Sequence, residues 1–242
     1  MAGGASVNPA LAGIKALTFD TGGTILDWHG GISRAFAAAG ERRGLTADWH
    51  EVTNEYRRRS LKAVVGQLHP DFNFDDVHRR VLGEVIDHFA LTALDAQDRD
   101  AIWRSWHALE AWPGFPAALA RLRRRYVVAS FTLLTTALVI DVSRKNGFDW
   151  DAIISCEMIG HYKPRPEAYL TAAKWLQLKP PEILMVACHN FDLNAARGCG
   201  YKSAFVRRPA EWGPSGPPDS APNPEHDIVV DDFAELADAL AA

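Results

Sequence analysis

Residues 14–24 read IKALTFDTGGT, a short apolar run that ends in an aspartate, two glycines and a threonine. The run predicts a buried strand with Asp20 at its carboxyl end, where open α/β sheets bind ligands. A carboxylate on such a tight turn can be a nucleophile, or it can cap the following helix in an Asx turn. The side chains that other strand ends bring to the same edge decide between these interpretations.

Five more apolar runs predict strands, at 126–132, 152–155, 182–188, 203–206 and 227–230. Helical patterns separate most of them, at 166–176, 190–198 and 233–240. This alternation of strand and helix predicts an α/β fold, a doubly wound parallel sheet with helices on both faces.

The chain between Asp20 and Tyr126 has helical patterns at 32–43, 49–68, 75–91 and 96–111, and little strand signal. One crossover helix would be much shorter, so we predict an inserted helical cap. The predicted boundaries are 28–111 for the cap, and 1–27 with 112–242 for the catalytic core. Aromatic residues of the cap are interpreted mainly as packing. Residues 209–226 are rich in Pro, Gly and Ser, which predicts a surface loop.

The chain has 242 residues, with 26 basic and 30 acidic side chains and a net charge of −4. This balance argues against a nucleic-acid partner, and no apolar stretch is long enough for a membrane span. Residues 1–13 lack the pattern of a signal peptide and are interpreted as a frayed tail. Cys156, Cys188 and Cys199 lack zinc or disulfide spacing, which favours a reducing cytoplasm.

Polar side chains follow two further strands and one turn. Thr132 ends the second strand, where its hydroxyl could orient a substrate or cap a helix over 133–139. Lys163 lies in a turn fixed by two prolines, either beside an anion or simply in solvent. His189, Asn190 and Asp192 crowd the junction between the fourth strand and its helix, which favours a functional site.

The order of these motifs resembles the haloacid dehalogenase superfamily over about residues 14–212, and most closely its (S)-2-haloacid dehalogenase branch. The resemblance implies a Rossmann-like core with an inserted cap and an aspartate nucleophile, Asp20. Lys163 would keep Asp20 ionised, and Asp192 would act as base or position the hydrolytic water. The resemblance also implies substrate-site roles for Thr24, Thr132, Tyr169, Arg57, His189, Asn190, Phe191 and Gly22.

Magnesium phosphatases of the same superfamily carry two further acidic residues, and this chain has Gly22 and Cys188 in their places. Because Mg²⁺ prefers hard oxygen ligands, we expect no metal and no other cofactor. The chain also departs from the dehalogenases. Gly22 replaces an aromatic residue, His189 a common Asn, and Phe191 a common Trp, and no Asn follows Thr132.

These features predict a metal-independent hydrolase that displaces a leaving group from C2 of a small anionic 2-substituted carboxylic acid. A halide is the first candidate. The alternative is the ring amine of a strained cyclic amino acid such as azetidine-2-carboxylate, for which Gly22 would make room. Less favoured are a phosphatase and an inactive binding protein. Cap helices of this family often pair, so a homodimer could form, although no apolar stripe indicates one.

Overall fold

The computed structural model describes residues 11–68, 72–219 and 221–240. Part of the predicted tail, residues 1–10, lies outside this range, as does residue 220 of the predicted loop. Six short strands form one parallel sheet, which confirms the predicted α/β class. They are β1 (Ala16–Phe19), β2 (Val127–Thr132), β3 (Ala152–Ser155), β4 (Ile183–Ala187), β5 (Lys202–Val206) and β6 (Ile228–Val230).

The strand order is β3-β2-β1-β4-β5-β6, so the direction of winding reverses between β1 and β4. Every residue of β1 and β4 is buried, as expected for apolar strands covered on both faces. In doubly wound sheets, ligands bind in the crevice at this reversal, outside the carboxyl ends of the strands. Asp20 follows β1 and Cys188 follows β4, so the topology brings both to that crevice.

Four helices lie between β1 and the return to the core: α1 (Trp28–Arg43), α2 (Trp49–Val64), α3 (Phe74–His88) and α4 (Ala96–Arg104). A 3-10 turn, Ser105–Ala108, continues α4. Side chains of Asp48, Asn73 and Asp95 cap the starts of α2, α3 and α4 by accepting backbone N–H bonds. The interior of this helical region is aromatic, with His78 stacked on Trp106 at 4.0 Å between ring centres.

The remaining helices flank the sheet. They are α5 (Phe115–Leu122), α6 (Thr136–Asn146), α7 (Cys156–Ile159), α8 (Pro166–Trp175), α9 (Asn190–Gly198) and α10 (Phe233–Ala239). Gly114 begins α5 with a φ of 84°, a left-handed conformation that glycine adopts without strain. No helix in the described ranges has both the length and the apolar character needed to cross a membrane.

Two expectations about local structure were wrong. The helix predicted over 133–139 begins at Thr136, because the side chain of Thr135, not Thr132, caps it by accepting from Leu138 N–H at 3.1 Å. The stretch 209–226 is not uniformly a surface loop. Glu211 and Trp212 are buried in it, with 1% and 8% of their surfaces exposed.

Candidate active site

Asp20 is held at the end of β1 by bonds to the neighbouring strand and to its own turn. Its N–H donates to Val186 O of β4 at 2.9 Å. The hydroxyl of Thr24 donates to Asp20 Oδ2 at 2.8 Å, and the N–H of Cys188 donates to that hydroxyl at 3.0 Å. Thr24 therefore joins the ends of β1 and β4 and fixes the orientation of the Asp20 carboxylate.

Lys163 is fully buried and lies between two carboxylates. Its Nζ is 2.7 Å from Asp192 Oδ2 and 3.5 Å from Asp20 Oδ1, and it also donates to Phe131 O at 2.8 Å. Burial works to lower the pKa of Lys163, but Asp192 and Asp20 raise it above its usual value. Burial likewise opposes ionisation of Asp20, yet Lys163 and His189 hold the pKa of Asp20 below its usual range.

Asp192 is fully buried, and its carboxylate bonds to Lys163 and Tyr169. Its Oδ2 accepts from Lys163, and its Oδ1 accepts from the hydroxyl of Tyr169 at 2.6 Å. Burial raises the pKa of Asp192, as does the charge of Asp20, while Lys163 lowers it. Both oxygens are thus engaged away from the cavity, so this geometry suits a group that positions Lys163 rather than a base for water.

His189 contacts Asp20 at Oδ2, whereas Lys163 lies nearer to Oδ1. Nδ1 of His189 is 3.2 Å from Asp20 Oδ2, and its Nε2 is 2.9 Å from Glu211 Oε1. Burial would lower the pKa of His189, but Cys188, Glu211 and Asp20 raise it well above its usual value. The imidazole is therefore oriented by one carboxylate and directed at another, an arrangement typical of acid–base groups.

Glu211 was missed from the sequence because it lies in a stretch that reads as an exposed loop. Its carboxylate also accepts from Trp28 Nε1 at 3.1 Å. A Cβ at Gly23 would lie 2.1 Å from Glu211 Oε1, so only glycine at that position leaves room for this carboxylate. The pair of glycines after Asp20 was the available signal, because it marks a close approach of another group.

Arg57 of α2 is buried, with 3% of its surface exposed. Its guanidinium lies 5.3 Å from the ring centre of Trp28 and 5.6 Å from that of Trp106. Nη2 donates weakly to Gly22 O at 3.4 Å, whereas Nε and Nη1 have no hydrogen-bond partner in the described part of the chain. A buried cation with free N–H groups is costly unless an anion binds it.

Gly22 leaves a space bordered by Arg57 and Leu134. A Cβ there would lie 3.4 Å from Arg57 Nη2 and 3.6 Å from Leu134 Cδ1, which is ordinary van der Waals contact. The space that the sequence suggested for a substrate ring therefore meets these two side chains about one carbon atom away from the backbone of Gly22.

A narrow cavity opens on Asp20, with about 320 Å³ of empty space when its opening to solvent is included. Thr132 borders it, and its hydroxyl accepts from Leu134 N–H at 3.1 Å, which leaves the hydroxyl proton for a ligand. One wall is polar and the other is formed by apolar side chains. The lining residues are Asp20, Gly22, Arg57, Leu61, Phe74, Thr132, Leu133, Leu134, His189 and Phe191.

Asn190 is not among these lining residues. Its Oδ1 accepts from Asn223 N–H and lies 3.0 Å from His226 Nε2, and its Nδ2 donates to Ala221 O. The structure therefore places Asn190 beside the cavity lining rather than in it, and its side chain holds the loop after β5. Tyr169 also lies outside the lining and reaches the site only through Asp192.

Comparison with known proteins agrees with this geometry. The family model of haloacid dehalogenase-like hydrolases matches residues 14–200. The chain belongs to this family. An (S)-2-haloacid dehalogenase of Xanthobacter autotrophicus is 28% identical over 201 residues, covering 81% of this chain and 76% of the relative.

Two solved structures of the family are also similar. The L-2-haloacid dehalogenase PA0810 is 35% identical, with a TM-score of 0.87 over 94% of this chain and 99% of that one. The defluorinating L-2-haloacid dehalogenase Rha0230 is 33% identical, with a TM-score of 0.89 over 98% and 99%. A pyrophosphatase, PpaX of Anoxybacillus flavithermus, is 24% identical over 80% of this chain and 83% of the relative.

The donors around Asp20 do not suit the magnesium ion of the phosphatases in this family. Gly22 has no side chain, and Cys188 provides sulfur where a hard oxygen is needed. The imidazole of His189 also lies between the carboxylates of Asp20 and Glu211 and contacts both. An oxygen-only cage for Mg²⁺ is therefore absent among the described residues at this edge.

Proposed function

We propose that this hydrolase displaces a leaving group from C2 of a small 2-substituted carboxylic acid through an ester on Asp20, as a 2-haloacid dehalogenase does. The observation that carries the proposal is the buried guanidinium of Arg57, which borders the same cavity as Asp20 and has two nitrogens without hydrogen-bond partners among the described residues. An anion released into this cavity satisfies that cation. The ionised Asp20 supplies the nucleophile.

In the first step an oxygen of Asp20 attacks C2, and the bond from C2 to the leaving group breaks with its electron pair. Oδ2 already accepts from Thr24 and contacts His189, whereas Oδ1 has only the 3.5 Å contact with Lys163. Oδ1 is therefore the freer oxygen for attack. The hydroxyl of Thr132 donates to the substrate carboxylate, and a halide departs toward Arg57.

In the second step water attacks the Asp20 carbonyl, and the ester breaks to release a 2-hydroxy acid. Asp192 was the base expected from sequence, but both of its oxygens accept hydrogen bonds from Lys163 and Tyr169. Esterification removes the charge of Asp20, which lowers the pKa of His189 and lets the imidazole release its proton to solvent before water attacks. We assign the proton of the attacking water to this neutral His189, supported by Glu211, and the imidazole then returns that proton to the departing alkoxide of the product.

A halide fits this site better than a ring amine. Arg57 favours an anionic leaving group, whereas a departing amine is neutral or cationic. A single Cβ atom at Gly22 would already contact Arg57 and Leu134, which restricts the room for a ring on this side of the cavity. Azetidine-2-carboxylate therefore remains the alternative substrate to test.

The decisive assay tests three substrates with the purified enzyme. We expect chloride and lactate from 2-chloropropionate, with inversion at C2. Formation of 2-hydroxy-4-aminobutyrate from azetidine-2-carboxylate, without chloride release, would select the alternative. Turnover of a phosphate ester with Mg²⁺, and of neither acid, would contradict displacement at carbon.

Isotope labelling tests the ester directly. In a single turnover in ¹⁸O-water, the label should first enter the carboxylate of Asp20 and then appear in product on later turnovers. Label that appears in the product of the first turnover would mean that water attacks C2. If Asp20→Asn retained the protein's biological role, the inactive-binder interpretation would be favoured instead.

We also propose that the reaction needs no metal and takes place in the cytoplasm. The absence of a suitable oxygen cage at Gly22 and Cys188 supports the first point. The three cysteines, all free thiols, suit a reducing compartment. Dialysis against a chelator should leave dehalogenation unchanged, and loss of activity that Mg²⁺ restores would contradict this.

A further inference from the structure

Three side chains of different chemistry meet behind Asp20, and the proposed reaction uses only two of them. Cys188 Sγ is 3.4 Å from His189 Nε2 and 3.6 Å from Glu211 Oε2, and His189 Nε2 is 2.9 Å from Glu211 Oε1. One donor atom from each residue lies within 4.8 Å of the others. Sulfur, imidazole nitrogen and carboxylate oxygen are the donors that zinc takes in proteins.

The separations are close to those of a tetrahedral zinc site. Bonds of about 2.3 Å to sulfur and about 2.0–2.2 Å to nitrogen and oxygen put neighbouring ligand atoms about 3.3–3.6 Å apart. Two of the three observed distances fall close to that range, and the third is a hydrogen bond between His189 and Glu211 that the ion would replace. Only small side-chain shifts are needed.

Neighbouring residues already hold the triad of Cys188, His189 and Glu211 in place, as the residues that surround the ligands of a metal site do. Nδ1 of His189 contacts the Asp20 carboxylate at 3.2 Å, which directs the Nε2 lone pair toward Cys188 and Glu211. Trp28 Nε1 donates to Glu211 Oε1, and the Thr24 hydroxyl lies 3.4 Å from Cys188 Sγ. These contacts orient the three donor side chains, so the side chains lose little conformational entropy when an ion binds.

Burial and charge also favour a captured ion. Cys188 and Glu211 are buried, with 3% and 1% of their surfaces exposed, so a bound ion would be shielded from water. The thiolate and the carboxylate together bring two negative charges, which match a divalent cation. Because such a ligand set contains sulfur, it selects Zn²⁺ over Mg²⁺.

We propose that Cys188, His189 and Glu211 form a binding site for a divalent cation of the zinc class, with water or a substrate oxygen as a fourth ligand. Binding displaces the thiol proton and the proton between His189 and Glu211, and both pass to solvent. Since Nε2 of His189 is then occupied, Zn²⁺ should inhibit turnover. This last consequence rests on the proposed function, but the site itself does not.

The test is metal binding to the full-length, chelator-treated protein. We expect one Zn²⁺ per chain by calorimetry, and one Co²⁺ with the near-ultraviolet absorption of a cobalt–thiolate bond. Cys188→Ser should weaken Zn²⁺ binding by at least about 100-fold and abolish that absorption, and Glu211→Gln should weaken binding. Mg²⁺ should not compete.

Cys199→Ser is the matched control, because Cys199 is a free thiol outside the triad. It should bind both ions like the wild type. Circular dichroism and thermal melting must show that Cys188→Ser is folded, and Glu211→Gln provides a second, thiol-preserving variant. Absence of stoichiometric binding by the wild type, or a cobalt–thiolate band that persists in Cys188→Ser, would overturn the proposal. These readouts are independent of catalysis, so failure of the site is distinct from failure of the proposed reaction.

Discussion

Two buried cations border Asp20, and they differ in how completely they are paired. Lys163, from the core, contacts Asp192, Asp20 and the carbonyl of Phe131. Arg57, from the helical region, has aromatic rings around it and one long contact to Gly22 O. The two cations therefore border the same nucleophile but differ in how completely their positive charges are compensated.

The difference separates a cation that stabilises the fold and sets the charge of Asp20 from a cation that is suited to bind an anion. The charge of Lys163 is neutralised within the fold, so it sets the ionisation of Asp20 before substrate arrives. The charge of Arg57 is poorly compensated by the described residues around it, which costs folding free energy that a bound anion can recover. Substitution of each cation by methionine should therefore change stability in different directions.

Lys163→Met should have the largest effect. It leaves Asp20 and Asp192 buried without their shared cation, and removing one partner of a buried ion pair costs about 3–5 kcal/mol. Activity should be lost as well. Chemical denaturation measures the change in unfolding free energy, and Lys174→Met, an exposed position on α8, is the control. A fully stable Lys163→Met protein would contradict the pairing described above.

Arg57→Met should reduce kcat/KM by about 10²–10³-fold, as expected when a transition-state donor is removed. The free energy of unfolding should be unchanged or higher, because an uncompensated buried charge has been replaced by an apolar chain. Arg58→Met, the next residue along and an exposed one, should change neither quantity appreciably. Marked destabilisation by Arg57→Met, with no loss of activity, would assign Arg57 a structural role.

Sequence reasoning predicted Lys163 and Arg57 with unequal support. The prediction for Lys163 rests on a local signal, because two prolines fix the turn in which it lies and that turn returns to the edge of the sheet. Arg57 is one of three successive arginines on α2, and successive residues point about 100° apart around a helix. The pattern alone does not fix which of the three faces inward, and the resemblance to the family supplied that choice.

The same limit explains what sequence reasoning could not resolve at the end of β4. His189 and Asn190 are adjacent in sequence, but only His189 faces the cavity, while Asn190 begins α9 and bonds to residues of the following loop. Glu211 comes from a loop rich in Pro and Gly, for which sequence periodicity gives no burial signal. Strand ends were predictable because a parallel sheet aligns them, whereas tertiary packing alone buries Glu211.

Glu211→Gln should separate the two chemical steps. The amide keeps the size of the side chain but cannot hold the charge of His189, so deacylation should slow by about 10²-fold, within the range of general acid–base catalysis. The ester on Asp20 should then accumulate and be detected by mass spectrometry of the intact protein. Arg57→Met should show no such accumulation, because it impairs ester formation.

Glu225→Gln provides the matched control for Glu211→Gln, because Glu225 lies in the same loop but is exposed and pairs with Arg197. It should turn over substrate at the wild-type rate. An ester that fails to accumulate in Glu211→Gln, while kcat falls, would move Glu211 from the second step to the first.

The smallest expected effect concerns His107, which lies in one of the contacts between the helical region and the core. His107 Nδ1 bonds Asp141 of α6 at 2.8 Å, and its Nε2 is 3.3 Å from Asp75 of α3. Asp75 raises the pKa of His107 above its usual value, as does Asp141, against the effect of burial. A raised folded-state pKa stabilises the protein fully below about pH 6.5, and the contribution disappears as pH rises through the folded pKa.

His107→Gln should therefore lower the free energy of unfolding at about pH 6 more than at pH values above the folded pKa of His107. The measurement is the difference in denaturation midpoint between wild type and variant across that range. His88→Gln, at an exposed position on α3, is the control for loss of a histidine and should leave the free energy of unfolding close to that of the wild type. A pH-independent difference for His107→Gln would mean that packing, and not the charge of His107, holds this junction together.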